Sequence, residues 1–209
     1  VNPEQRVFAG KDSIVVDEEK IRAARKIYLM LNKPPGIVTS AADEKGRPTV
    51  YSLLPADLPW VAPVGRLDKA SEGLLLLTND SAWGARVASP ESHVSKTYHV
   101  QIAAVAGPDL LQQMTSGVRS ESGNVLRAKK ASVIRAGAKN SWLEIVLDEG
   151  KNRHIRRLID RLEIEVLRLV RVAIGPLQLG KLPKGKVREL TAAEVAALAG
   201  RQDGSRKPA

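Results

Sequence analysis

The run Gly65-Arg66-Leu67-Asp68-Lys69-Ala70-Ser71-Glu72-Gly73 leads into Leu74-Leu75-Leu76-Leu77 and closes on Thr78-Asn79-Asp80. It sets a guanidinium, Arg66, and a carboxylate, Asp68, at the end of a turn just ahead of an apolar segment of strand length. A carboxylate anchored at the mouth of a buried strand is held in a fixed place, as a catalytic group needs. Residue types and spacing leave a plainer alternative, a solvated Asp–Arg pair in a surface loop, which is the commoner outcome for such a run.

A second concentration of chemistry lies at Lys151, Arg153, Arg156, Arg157 and Arg161. Ile155, Leu158, Ile159 and Leu162 recur at i, i+3, i+4 and i+7, so a helix over 152–162 buries one stripe and leaves the rest to the arginines. Such a basic face can be solvated, or it can grip a polyanion. His93, His99 and His154 are scattered singly and read as structural or nucleic-acid contacts, not as a metal site.

The elements that must position these groups follow from periodicity. Ile27, Leu29 and Leu31 alternate with Tyr28, Met30 and Asn32 in a strand that Lys33-Pro34-Pro35-Gly36 ends. Residues 41–48 form an exposed polar loop, and 74–77 a buried strand. Asp80 caps a short helix to about Ala88, stopped by Pro90. Tyr98, Val100 and Ile102 share the apolar face of a strand over 96–103. A helix spans Pro108 to Ser116 with Gly117 just beyond it. Strands follow at 125–135, 142–147 and 166–173, and Thr191 with Glu194 opens a capped helix that Gly200 closes. Strands and helices mix without regular βαβ alternation, which predicts an α+β fold.

Composition bounds the function classes. The chain has 209 residues, a formal charge of +10, and 43% hydrophobic against 27% charged residues. Aromatics make up 3%, so the core rests on Leu, Ile, Val and Ala. So basic a chain asks for a polyanionic partner, most often nucleic acid, or a large solvated face. With Cys 0, disulfides and thiolate metal sites are excluded. No apolar run reaches the ~20 residues that span a bilayer. The expectation is a soluble cytoplasmic protein.

Taken in order, four motifs resemble those of the pseudouridine synthases, in the branch that modifies ribosomal RNA. Gly65-Arg66-Leu67-Asp68, ahead of Gly73 and the Leu-rich strand, is similar to the catalytic motif. Asn32-Lys33-Pro34-Pro35-Gly36 with Thr39 is similar to the opening motif, Lys96-Thr97-Tyr98 to the Lys-x-Tyr element, and Glu149 to Arg157 to the C-terminal basic motif. Together they span about residues 27–190. Ser71 and Glu72 depart from the family's usual Thr followed by Ser, Thr or Cys, although Ser71 keeps the hydroxyl. Ser81 stands where many members have Gly.

The resemblance implies a mixed, largely antiparallel sheet with helices packed on it, and isomerisation of uridine to pseudouridine. It assigns Asp68 as the catalytic carboxylate, Tyr98 as the phenol that stacks on the base, and Arg156 as the basic partner of Asp68. Attack of Asp68 on ribose C1′, attack on uracil C6, and assistance to base departure are all compatible with it. Arg66 is expected to fill the space that an extruded base vacates. Lys33, Lys151, Arg153 and Arg157 are expected to grip the RNA backbone. No cofactor and no metal is expected, since no electron leaves and no atom is exchanged. The expected partner is ribosomal RNA, free or in an assembling subunit, engaged by a monomer.

Pro3 and Asp12-Ser13-Ile14-Val15-Val16-Asp17 resemble the end of a small RNA-binding domain, of the type shared with a small-subunit ribosomal protein. Residues 1–22 are expected to be a remnant of that domain, 23–200 the catalytic domain, and 201–209 a disordered tail. The alternative from another class is a noncatalytic RNA-binding or ribosome-assembly factor on the same scaffold. A glycoside hydrolase would need a second carboxylate across from Asp68, and Glu72 belongs instead to the motif variant.

Overall fold

A run of leucines with no polar interruption is stable as a strand only where both faces are covered. In a computed structural model, which describes residues 14–16, 19–21, 25–120 and 123–200, that run lies inside the principal sheet. In chain order the strands are β1 Ile14–Val16, β2 Glu19–Ile21, β3 Tyr28–Lys33, β4 Ala62–Val64, β5 Glu72–Thr78, β6 Lys96–Ile102, β7 Val118–Arg119, β8 Val125–Leu126, β9 Lys130–Ala136, β10 Ser141–Leu147, β11 Val166–Ile174, β12 Leu177–Gln178 and β13 Val187–Glu189. The helices are α1 Ser81–Ala88, α2 Pro108–Ser116, α3 His154–Asp160 and α4 Ala192–Leu198. The sheet order is β13-β3-β5-β11-β6-β10-β9, with β4 on β5 and β12 on β11. Every pairing in it is antiparallel except β5 with β11. The fold is α+β with a mixed, largely antiparallel sheet, as the sequence predicts.

That one parallel seam joins two antiparallel halves. It is short, pairing only Val170 with Glu72 and Arg171 with Gly73. Gly73 makes it possible: its φ is +101°, and a Cβ built there would lie 2.2 Å from the Arg171 carbonyl oxygen. Only glycine tolerates both the conformation and the approach. The catalytic-type turn at 65–71 leads directly into this seam, and Tyr98 lies in register with Arg171 on its far side.

Alternation along the strands builds the core. Leu29 and Leu31 of β3 pack with Val61, Leu67, Leu75 and Leu77, while Met30 packs on the other face with Leu74, Leu76 and Trp83. All seven residues of β5 are buried. Across the seam, Val100, Ile102, Leu143 and Ile145 bury the apolar stripe of α3, Ile155, Leu158 and Ile159. Asp80 caps α1 by accepting from the Trp83 backbone N–H at 3.1 Å, and Thr191 and Glu194 form the reciprocal capping box of α4.

Two expectations change in detail, and some short strands were not expected. The strand over 125–135 is two pieces, because the Ala128 N–H turns away to the Met114 carbonyl at 2.8 Å and Leu126 pairs back with Val118. The helix begins at His154 because Arg153 adopts a left-handed φ of 48°. β4, β12 and β13 are two or three residues long, too short to show a period. Ile14–Val16 pairs with Glu19–Ile21 in a separate small hairpin. The expectations for residues 1–13, 17–18, 22–24 and 201–209 lie outside the described residues.

Candidate active site

The turn that carries Asp68 has no periodic structure of its own, so something else must hold it. The Asn32–Thr39 segment does this. The Gly36 N–H donates to the Lys69 carbonyl at 2.8 Å, and the Thr39 hydroxyl donates to the Leu67 carbonyl at 2.9 Å. The turn closes on itself through the Ser71 N–H and the Asp68 carbonyl at 2.9 Å.

Lys33 is the centre of this brace. Its ammonium donates to the carbonyls of Ser71 at 2.8 Å, of Pro34 and Asp68 at 3.1 Å each, and of Lys69 at 3.4 Å. The residue is fully buried. The expectation that Lys33 grips the RNA backbone is therefore corrected: all three N–H groups are spent on carbonyls inside the protein, and no surface remains for a phosphate. Burial lowers its pKa from 10.5 to about 8, with Asp68 and Glu72 opposing and Arg171 adding to the drop.

Lys33→Met leaves these buried carbonyls without a donor, and is expected to cost about 2–4 kcal/mol of stability at pH 7. The unfolded chain holds the lysine proton to about pH 10.5, whereas the folded chain releases it at about 8. The unfolded state thus binds more protons in that window, and the wild-type protein gains stability over the variant as pH rises from about 8 to 10.5. Urea midpoints for both proteins across pH 7–10.5 measure this; a constant difference would count against the buried ammonium.

Asp68 faces a cleft of about 170 Å³. Its carboxylate lies 3.7 Å from Arg153 Nη1 and 3.9 Å from Arg156 Nε, with its side chain 28% exposed. Both separations exceed hydrogen-bond length, so the attraction is coulombic and both carboxylate oxygens stay open to a third group. The two guanidiniums set positive charge beside it. Arg156 also donates from Nη2 to the Ala70 carbonyl at 3.3 Å. Burial and then Arg153 push its pKa down, and Asp68 opposes them.

Tyr98, half-buried on β6, lines the same cleft and packs against the core on both sides of the seam. Arg66 and Lys151 line it from exposed positions, and Lys151 pairs with Glu149 at 2.9 Å. The structure thus brings Arg66, Asp68, Tyr98, Lys151, Arg153 and Arg156 to one place. Arg157 does not line this cleft but a neighbouring basin that Arg153 and Arg156 share. Among the described lining residues, Asp68 is the one carboxylate against Arg66, Lys96, Lys151, Arg153, Arg156 and Arg171. Such an excess of cations suits an anionic ligand, while Leu67, Leu147, Leu169 and Ile174 supply apolar wall for a flat ring.

Glu72 is no second catalytic carboxylate. It is buried and bound bidentately by Arg168 at 2.8 and 3.0 Å, and by Lys184 at 2.6 Å. Burial alone would raise its pKa, but these two cations outweigh it and the net shift is downward.

Sequence reasoning missed Lys96, Ser71 and Arg171 as lining residues. The signal for Arg171 was present: it is a charge inside the apolar stretch Leu169-Val170-Arg171-Val172-Ala173-Ile174.

The chain matches the sequence profile described as RNA pseudouridylate synthase over residues 27–160. It is 34% identical over 187 residues to the ribosomal large subunit pseudouridine synthase B of Bacillus subtilis, covering 89% of this chain and 77% of that one. It is 34% identical over 179 residues to the ribosomal large subunit pseudouridine synthase E of Vibrio parahaemolyticus, covering 79% and 74%. Among solved structures, a pseudouridylate synthase superposes with a TM-score of 0.73 at 29% identity, over 90% of this chain and 77% of that one. Fold, motif order and these likenesses agree: the chain belongs to the RNA pseudouridylate synthase family.

Proposed function

We propose that this chain isomerises uridine to pseudouridine in ribosomal RNA, that of the large subunit, with Asp68 as the catalytic carboxylate. The observation that carries the reading is that Asp68, Tyr98 and Arg156, drawn from three separate motifs, line one cleft. The relatives' names point to large-subunit RNA as the substrate.

The reaction breaks the bond from ribose C1′ to uracil N1, turns the base, and joins C1′ to C5. The C5 proton leaves and N1 gains one, so no atom is exchanged in net. Asp68 supplies the carboxylate, with the guanidiniums of Arg153 and Arg156 beside it. Tyr98 offers its ring for the base to stack on and a phenol near the proton to be removed. Extruding the base costs on the order of a few kcal/mol. Arg66, exposed at the rim, offsets part of this by occupying the vacated stack and holding a phosphate. Lys151 and Arg153 reach further phosphates, and Arg157 reaches the same strand from the neighbouring basin.

The chain acts as a monomer in the cytoplasm on this reading. No described helix is long and apolar enough to cross a membrane. A noncatalytic RNA-binding factor would keep the basic rim but have no use for a carboxylate and a phenol facing one cleft.

Ribosomal RNA carrying tritium at uridine C5 tests the proposal, because forming the C5–C1′ bond expels that label. The protein is expected to release tritium from unmodified large-subunit RNA in proportion to one uridine per molecule. Binding without release, from RNA of either subunit, would sink the catalytic reading and leave the binding factor.

A further inference from the structure

Arg171 is 5% exposed, yet it carries a charge into the middle of the sheet. Its Nε donates to the Leu74 carbonyl at 2.7 Å, which anchors the side chain. Its Nη2 is buried and has no hydrogen-bond partner, and the residue is among those that line the cleft. A buried, unpaired guanidinium N–H is costly, and native proteins retain such a group where something else uses it. Glu72, which sits beside it at the seam, is committed to Arg168 and Lys184. Asp68 is the one carboxylate lining the cleft among the described residues. The partner of Arg171 therefore arrives with the ligand.

What that partner is follows from position. Arg171 pairs in register with Tyr98 across β6 and with Gly73 across the seam, so it stands between the phenol and the root of the Asp68 turn. Ser71, also buried, leaves its hydroxyl unpaired in the same cleft. Arg156 Nε and the His154 ring nitrogens are likewise buried without a hydrogen-bond partner on residues lining this cleft, and of these residues Arg171 is the one whose guanidinium is anchored inside the sheet.

Resting on the uridine-isomerase reading, we propose that Arg171 Nη2 donates to a carbonyl oxygen of the target uracil and stabilises the negative charge that gathers there. When the C1′–N1 bond breaks, its electron pair stays with the base and spreads from N1 onto the ring carbonyls. Addition of Asp68 at C6 would likewise load O4. In either route a fixed guanidinium acts more strongly on the charged species than on neutral uracil, which is what lowers a barrier. Arg171 is accordingly a catalytic residue and its Nε bond to Leu74 is the strut that aims it.

The test is a cycle between a protein variant and a substrate atom. Wild type, Arg171→Gln and Arg171→Lys are assayed on an RNA substrate bearing uridine, 2-thiouridine or 4-thiouridine at the target, with sulfur a weak acceptor in place of oxygen. Arg171→Gln is expected to lower kcat by about 10²–10³-fold with little change in KM, the usual effect of losing one charge-stabilising donor. Arg171→Lys, which keeps the charge and can still reach Leu74, is expected to stay folded and to lose a smaller factor. The thio substitution that slows wild type should slow Arg171→Gln no further, and Arg171→Lys by a smaller factor than wild type. Melting temperature is read for each protein.

A folded variant with wild-type kcat would overturn the proposal. So would losses that multiply independently at both thio positions, as a purely structural strut would give. Wild type indifferent to both sulfurs would overturn it whatever the variants do. Wild type inactive on the uridine substrate would instead remove the isomerase reading, and this proposal with it.

Discussion

Asp68→Asn is expected to melt within a few degrees of wild type while losing pseudouridine formation by about 10⁴-fold, the scale set by removing the charge from an essential carboxylate. The two halves of this result have separate causes. The carboxylate contributes little to folding, because its ion pairs at 3.7 and 3.9 Å are long and the side chain is partly solvated. Pairs of that kind are worth about 0–1 kcal/mol. The bond that Lys33 makes at this residue goes to the backbone carbonyl, which asparagine keeps. Turnover, in contrast, needs a negative charge that either attacks carbon or offsets a developing cation, and the amide offers neither. Tritium release and thermal melting on the same preparations separate the effects. A variant retaining more than about 1% of the rate would move the catalytic role elsewhere.

Gly73→Ala is expected to be the most damaging single methyl in the chain's seam. A Cβ there meets the Arg171 carbonyl oxygen at 2.2 Å, its N at 2.9 Å and its carbonyl carbon at 3.0 Å, all of them backbone that cannot rotate away. The residue also sits at φ +101°, which L side chains rarely adopt. Strain at such a φ costs about 1–3 kcal/mol and overpacking about as much again, for a total of roughly 3–5 kcal/mol. Gly36→Ala is the matched control: its φ is +87°, but nothing lies within 4 Å of the built Cβ. It should lose only the conformational part, about 1–2 kcal/mol. Urea unfolding of the two variants measures the difference. Equal losses would mean that the seam yields, and that the approach of β11 to β5 is not what glycine is there to allow. Activity is expected to fall with the Gly73 variant even where it remains folded, since the strand that is pushed away carries Arg171 into the cleft.

Much of this protein was legible before any coordinates. Helix caps are local, since Asp80 and Thr191 bond to backbone three residues on, and they were read correctly. Strand alternation at β3 and β6 is also local, as is the Pro108–Ser116 helix with its glycine stop. The motif resemblance named Asp68, Tyr98 and Arg156, and those three line one cleft. What failed were readings that depend on partners far along the chain. Lys33 looked like a surface cation because a lysine beside two prolines ordinarily is one. Its burial is created by carbonyls at 68–71, more than thirty residues away. Glu72 was set aside as a motif variant, but its pairing with Arg168 and Lys184 could not be read from its neighbours.

The sequence by itself determined the longer strands and the helices, how they are capped, and which carboxylate, phenol and guanidinium to look for, because periodicity, capping and motif identity are properties of neighbouring residues. The tertiary structure alone decided that Lys33 braces the Asp68 turn, that Gly73 admits a second strand, and that Arg171 enters the cleft with an unpaired donor. Those are consequences of burial, and burial depends on which distant segments of the chain arrive at the same place.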